Sequence, residues 1–560
     1  MRTRIWGGSR AYTFSLSVCD FDLMRLPLVS TSWRRALQVL YLSVALHGAL
    51  FAQRSSDVSS NESLRDPALE KLKVADVGPW SISGIEFKLS YEFGPAFVKR
   101  EKDSKFRYLN FMVYEKLLAL DAERKGLGQW PDVKRQVSEI EGDLATEELY
   151  KDDVLKHVHV TDRQIALGVE LERVQLQVQW VFSPTSAEMD EQIRKLKSGV
   201  PFDSLYAGQV RSGQPAEDRS MSTTRFKLRM KNPMLSTIAD TMTAGTISLP
   251  IHGPDGWYLL KMVDAQKKMI LTESENIKLS EDVRRALIQH AGDSLSDKYV
   301  QNVVAAEHPT ILRGPFNALQ AHLGKIYLNK IKYDEWKLRE RKGARELADV
   351  FSLESIAKDT LVNMNKGSYS INDFLEWFRM REPYITLALA SPAALSHSVE
   401  ELVWRMVRDR LLTQRAFARG FQKKLNVKRQ IKWWKDKMLF TANKQRIGDT
   451  IADSLPALQK YYDDNQNHFA DEQGHIKPFD VAKEDIWREY YSQELIKKML
   501  HEILRLRQEY GVKIDQASLN KIPVDNENDP KAIDVYSAKK GGIYPHAAFP
   551  SIDYEWQSWN

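Results

Sequence analysis

Two histidines, His157 and His159, stand two positions apart, a spacing that on an extended backbone turns both imidazoles to one side, where they could share a metal ion. No third ligand lies near them in the sequence, so they read as surface residues and no metal site is expected. The chain has no Gly-rich phosphate loop, no His-Glu-x-x-His and no Gly-x-Ser-x-Gly, which removes the common signatures of nucleotide binding, zinc proteolysis and serine hydrolysis. No cofactor is expected either. A basic stretch, Arg405 to Arg446, sets Trp433 and Trp434 between Lys432 and Lys435, a composition that can suit nucleic acid.

The N-terminal segment argues against that partner. Ala36 to Ala52 is apolar, follows Arg34 and Arg35, and ends in Ala49-Leu50-Phe51-Ala52, a site for a signal peptidase before Gln53. Residues 1–52 therefore read as a signal peptide, with Met24 the better start. Exported chains seldom meet nucleic acid, so the basic stretch suits an acidic client or an anionic envelope surface. The leader holds six Arg and two Asp, so the formal net charge falls from +6 to +2 once it is removed. It also holds the only cysteine, Cys19, which leaves the mature chain without a thiol for disulfides, metal thiolates or nucleophilic attack. No other segment approaches a membrane span, and the mature protein is expected in the periplasm or another extracytoplasmic space.

The elements that must position any site come in two copies. Met112-Val113-Tyr114-Glu115-Lys116-Leu117-Leu118 and Val133-Lys134-Arg135-Gln136-Val137 recur as Met406-Val407-Arg408-Asp409-Arg410-Leu411-Leu412 and Val427-Lys428-Arg429-Gln430-Ile431, both displaced by 294 positions. Upstream, Trp80-Ser81-Ile82-Ser83 matches Tyr369-Ser370-Ile371-Asn372. Downstream, Glu281-Asp282-Val283-Arg284 matches Glu484-Asp485-Ile486-Trp487, displaced by only 203. The first copy thus holds about 91 extra residues. In copy one, Ser83 caps a helix to about Phe93, a second runs from about Lys105 to Lys125 and stops at Gly126, a third spans about Pro131 to His157, and Thr161-Asp162 begins a short fourth. Each copy closes on a long helix, about Ser280 to Ala306 and Ala482 to Tyr510, expected to pack back on the earlier helices of its own copy. In copy two the connection to that helix is only Gln466 to Val481.

The extra residues, 174–266, carry a different pattern. Val174-Gln175-Leu176-Gln177-Val178-Gln179 alternates strictly, which predicts a half-buried strand. A helix over Ala187 to Ser198 ends at Gly199, Pro201-Phe202 and a polar loop from Arg211 to Thr224 follow, then a helix from Pro233 to Met242 and strands at Ile247–Ile251 and Trp257–Val263. The order is strand, helix, helix, strand, strand. Leu196-Lys197-Ser198-Gly199-Val200-Pro201-Phe202, Ala244-Gly245-Thr246-Ile247-Ser248-Leu249-Pro250-Ile251 and Asp255-Gly256-Trp257-Tyr258-Leu259-Leu260-Lys261-Met262 resemble three motifs of the parvulin (PpiC-type) peptidyl-prolyl isomerases. Set between helical arms, the insert also resembles the SurA, PpiD and PrsA group of exported folding factors.

That resemblance implies a histidine on the first strand and another on the last. The matching positions here are Trp180, or Gln179 with one gap, and Tyr258. The glycine-rich turn is replaced by Arg219-Ser220-Met221-Ser222-Thr223-Thr224, with Asp218 the only nearby acid. Prolyl isomerisation breaks no bond and faces a barrier of ~20 kcal/mol, so a site can act by burying the proline and twisting its amide. Without the histidines the pocket is expected to be degenerate, with no catalytic residue assigned, while Gln179, Trp180, Phe226, Trp257 and Tyr258, beside Phe182, supply a surface for peptide; ordinary core burial is the competing role for the aromatics.

The expected fold is α+β and multidomain: two homologous all-helical, SurA-like modules with one parvulin-like domain inserted in the first. The divisions are a signal peptide at 1–52, module one at 53–173 and 267–320, the insert at 174–266, module two at 321–522 and a tail at 523–560. The tail is rich in Pro, Asp, Asn and aromatics without periodicity, and reads as a strap docking through Tyr544, Phe549, Tyr554, Trp556 and Trp559, or as a disordered end. The expected function is that of an ATP-independent chaperone of unfolded or partly folded exported proteins, with outer-membrane chains among them. An active prolyl isomerase and a non-catalytic structural subunit of an envelope assembly are the alternatives.

Overall fold

The computed structural model describes residues 66–559 except 212–218, 254–255, 269–271, 329–352, 453, 472 and 535–541. The leader and the start at Met24 lie outside the described residues. In chain order the elements of copy one are β1 (Lys73–Val77), β2 (Trp80–Ser83), α1 (Gly84–Glu92), α2 (Ser104–Arg124), α3 (Pro131–Asp153) and α4 (Asp162–Glu172). The insert supplies β3 (Val174–Ser183), α5 (Ser186–Lys197), α6 (Phe202–Arg211), β4 (Ser220–Thr224), α7 (Arg225–Lys231), α8 (Pro233–Thr241), β5 (Ile251–His252) and β6 (Trp257–Lys267). Then come α9 (Glu273–Ala305), β7 (Thr310–Ile311), α10 (Arg313–Tyr327), β8 (Thr360–Met364) and β9 (Gly367–Ser370). Copy two continues with α11 (Ile371–Arg381), α12 (Pro392–Ala418), α13 (Leu425–Gly448), α14 (Leu455–Asp464), α15 (Phe479–Tyr510) and β10 (Val512–Ile514). The architecture mixes helices with three small antiparallel sheets. Among the described residues no helix is long and apolar enough to cross a membrane.

Local chemistry explains where the helices begin. Ser83 Oγ accepts from Glu86 N at 3.3 Å, and Thr161 with Gln164 and Thr272 with Glu275 form capping boxes that satisfy orphan amides at the starts of α4 and α9. The Thr272 box starts α9 seven residues before Ser280, and Asn372 lies inside α11 rather than capping it.

The described residues form two compact bodies. The first holds the described parts of Met1–Glu147, Gln320–Leu353 and Ile371–Asn560. In it the two copies dock on one another. Asn443 of α13 donates to Leu118 O of α2 at 2.7 Å, and Ile140 and Leu144 of α3 share a core with Val427 and Trp434 of α13. Reciprocally, Arg410 of α12 pairs with Glu139 of α3 at 3.2 Å, and Gly142 lies against Thr413. Helix two of each copy therefore meets helix three of the other. The closing helix of copy two, α15, packs on α2 and α13, burying Leu495, Met499, Ile503 and Leu506.

The strands exchange in the same way. β10, which follows the closing helix of copy two, pairs with β1 of copy one (Ala75↔Ile514, Val77↔Val512) to make the sheet β10-β1-β2. In the second body, the described parts of Glu148–Leu319 and Glu354–Ser370, β7 follows the closing helix of copy one and pairs with β8 of copy two (Thr310↔Asn363) to make β7-β8-β9. Each opening hairpin thus has one edge covered by the other copy's end, which removes an exposed row of backbone donors and acceptors. α9 packs on α4, and its Gly292 admits Tyr150 while Tyr299 donates to Asp153 at 2.7 Å.

The insert belongs to the second body. Its sheet has the order β4-β3-β6-β5, antiparallel throughout. α7 and α8 cover one face, where Leu228, Ala239 and Met242 meet Leu176, Val178, Leu260 and Met262; α5 and α6 cover the other, where Met189, Phe202 and Leu205 meet Val181 and Leu259. Two expectations are corrected here. Of the expected strand Ile247–Ile251 only Ile251 lies in a strand, β5, with Ile247 in an isolated bridge to Lys261, and residues 220–224 of the expected polar loop form β4, with Met221 turned to the core and Ser222 to solvent. Residues 212–218 of that loop lie outside the described residues.

Candidate functional site

Strand alternation decides which of the five candidate residues in the insert can act together. Trp180 on β3 and Tyr258 on β6 lie on one face of the sheet, half-buried at the margin of the cluster that contains Leu260, Ile251 and Met242. Phe182 pairs with Tyr258 across the strands, ring centroids 5.1 Å apart. Gln179 and Trp257 alternate to the other face, where Trp257 packs beside Val181 and Leu259 and lies 4.8 Å from the His252 ring. Phe226 is 4% exposed and joins Ile165 and Val169 of α4 and Val283 of α9, so it fastens the insert to its helical neighbours. Of the five, Trp180 and Tyr258 share the face that carries Phe182, Gln179 and Trp257 share the opposite face, and Phe226 belongs to neither.

The strand end that carries them is held by side chains. Beyond the Gln179↔Ser220 pair, Gln209 of α6 substitutes for a strand: Phe182 N donates to Gln209 Oε1 at 3.1 Å, and Gln209 Nε2 donates to Phe182 O at 2.7 Å. Arg219, 6% exposed, donates from Nη1 to the same Gln209 Oε1 at 3.1 Å and sets its guanidinium 5.3 Å from the Phe182 ring centroid. Gly256, at φ 151°, lies so close to Phe182 that a Cβ there would stand 2.7 Å from both the ring and Ser183 O. The result is an apolar and aromatic margin of the sheet, in which half-buried Trp180, Phe182 and Tyr258 lie on the same face as Met221 and buried Ile251.

The other sequence candidates take simpler places. His157 and His159 are exposed, and no group of three possible metal ligands occurs among the described residues. Trp433 and Trp434 are 6% and 7% exposed, packed in the first body's core. Around them Arg410, Arg429, Lys435, Lys437 and Lys444 pair with Glu139, Glu70, Glu123, Glu115 and the Asp553–Glu555 pair. These cations face acids of this same chain.

A second constellation, in the first body, escaped the sequence reading. Lys116, 5% exposed at its side chain, meets Glu86 at 2.6 Å and Asp436 at 2.8 Å. Burial alone would lower the Lys116 pKa, but the two carboxylates outweigh it and the net shift is upward. Burial raises the Glu86 carboxyl against the pull of Lys116. Next to it, Glu115 accepts from Trp556 Nε1 at 2.9 Å and from Asp553 N at 2.6 Å while pairing with Lys437 at 2.8 Å. A cavity of about 50 Å³, room for a water or two, lies among Glu86, Glu115, Lys116, Asp436, Trp433 and the tail residues Phe549 to Ile552. In the structure α2 buries residues on every side, which forces Glu115, Lys116 and Asp121 inside, and their partners lie up to 441 positions away, beyond the reach of any local spacing. No protein-family model matches the chain, and no curated protein matches it.

Proposed function

We propose that this chain is an exported, ATP-independent holder of unfolded proteins, in which the insert is an isomerase-type domain that has kept a peptide surface and lost its catalytic groups. The observation that carries this reading is the pair Trp180 and Tyr258. They stand where the parvulin resemblance implies histidines, and they share one face of the sheet with Phe182, Met221 and Ile251. An apolar wall can shelter a prolyl segment without orienting its amide, so capture is favoured and turnover is not. The reading needs no cofactor, and the signal-peptide-like leader supports an extracytoplasmic site of action.

The test pairs two assays on the full chain: cis–trans isomerisation of a prolyl tetrapeptide, and aggregation of a urea-unfolded β-barrel outer-membrane protein on dilution. Suppressed aggregation with isomerisation at the uncatalysed rate is expected. Robust isomerisation that Trp180→Ala and Tyr258→Phe abolish would replace this reading with that of an active enzyme. Failure to delay aggregation at a several-fold molar excess would remove it.

A further inference from the structure

The C-terminal segment 542–559 lies on the first body as an irregular peptide, with bends at 542–544 and 548–549 and a 3-10 turn at Tyr554–Ser558. Such a segment must find partners for its backbone elsewhere, and here helix side chains supply them. Asp143 accepts from Ile543 N at 2.7 Å and Tyr544 N at 3.2 Å, and Arg381 donates to Ile543 O from Nε at 3.0 Å and Nη2 at 2.8 Å. Glu115 accepts from Asp553 N at 2.6 Å, Tyr108 Oη from Ile552 N at 3.4 Å, and Arg107 donates to Trp559 O at 2.9 Å. These contacts read main chain, which every peptide has.

Side chains then fill pockets between them. Phe549, Ile552 and Trp556 are 3%, 4% and 0% exposed, and Trp556 stacks 5.4 Å from Phe111 and 6.4 Å from Phe440. Asp553 and Glu555 alternate with these anchors and reach Lys444 at 2.7 and 2.5 Å. Main-chain bonds from side chains, aromatic anchors at intervals and a cation for intervening acids together make a peptide groove. The cavity between Phe549–Ile552 and the Glu86–Lys116–Asp436 cluster leaves the fit incomplete midway along the segment.

We propose that 542–559 is a resident occupant of a peptide-binding groove on the helical body, and that acidic–aromatic segments of unfolded chains compete with it. This rests on the reading of the chain as a holder of unfolded proteins. The groove supplies a second binding surface besides the insert, and the tail covers it while no client is present, so that apolar area is not left open to self-association.

Hydrogen exchange on the wild-type full chain tests this without any variant that might fail to fold. Reduced, carboxymethylated α-lactalbumin, an acidic chain that stays unfolded and soluble, is the probe, and its binding is read separately by anisotropy. Displacement predicts that the amides of Ile552 and Asp553 exchange about tenfold faster at saturating probe, while those of β1 do not change. Unchanged protection of Ile552 and Asp553 with the probe bound overturns the inference and leaves the holder reading standing. Absence of probe binding, together with failure to delay aggregation, removes both.

Discussion

Lys444 is a single buried cation serving two carboxylates of the tail, and its balance depends on a proton. Burial, then the nearby Asp553 charge, pushes the Glu555 carboxyl up to about 7, while Lys444 and Lys437 hold Asp553 well below the usual range; Lys444 itself is shifted upward by the two acids against its burial. Tyr491 of α15 also faces this group, its hydroxyl raised by burial. A carboxyl raised in the folded state stabilises fully below its unfolded value near 4.5, and that stability is lost as pH climbs through about 7. The wild type should therefore melt a few degrees lower at pH 8.5 than at pH 5.5, roughly 1 kcal/mol, and Glu555→Gln should flatten much of that slope. Identical pH profiles for the two proteins would show that the clamp does not titrate there. Lys116 makes a sharper case. Lys116→Met strands Glu86 and Asp436 without their cation and should cost about 3–5 kcal/mol in urea unfolding, whereas Lys73→Met, which removes an exposed pair with Asp76, should cost less than about 0.5 kcal/mol.

Among the elements, α4 and α9 meet where the insert joins the helical part of the second body, and their closeness depends on Gly168. A Cβ at that position would sit 2.4 Å from Val283 Cγ1 and 3.1 Å from the Phe226 ring. Val283 is 1% exposed and β-branched, so it has no freedom to turn aside. Gly168→Ala should destabilise the second body by about 1–3 kcal/mol despite alanine's better helix propensity, read as faster exchange of α9 amides. A neutral or stabilising result would mean that the two helices separate at no cost.

For the whole molecule, the exchange of β7 and β10 ties the copies together, so neither copy completes its three-stranded sheet from its own sequence. The insert is not part of either exchanged sheet. A chain lacking 174–266, rejoined by a connector copied from Gln466 to Val481, should keep most of its aggregation-suppressing activity, with α9 amides less protected because Phe226 is gone. Complete loss of that activity in a well-folded deletion would put client capture in the insert alone.

The linear sequence determined what depends on neighbours a few positions apart. Ser83, Thr161 and Gly126 mark helix ends to within a residue or two because caps and left-handed turns are local devices, and the 2-residue and 3.6-residue periods mark β3 and the helices. The aromatic character of the tail was legible for the same reason. Which partners those pieces choose was not. Nothing in the spacing of α2 says that it will lie on α13, or that β10 will complete the hairpin of the other copy, since amphipathic faces and strand edges accept any complementary partner the chain can bring. Nor could a motif match tell that Phe226 and Trp257 would part from Trp180 and Tyr258, because that depends on strand phase and on which helix covers each face. Tertiary packing alone made the Glu86–Lys116–Asp436 cluster and seated Trp556 between Phe111 and Phe440, for burying a charge or a tail requires partners from distant parts of the chain to be in place at once.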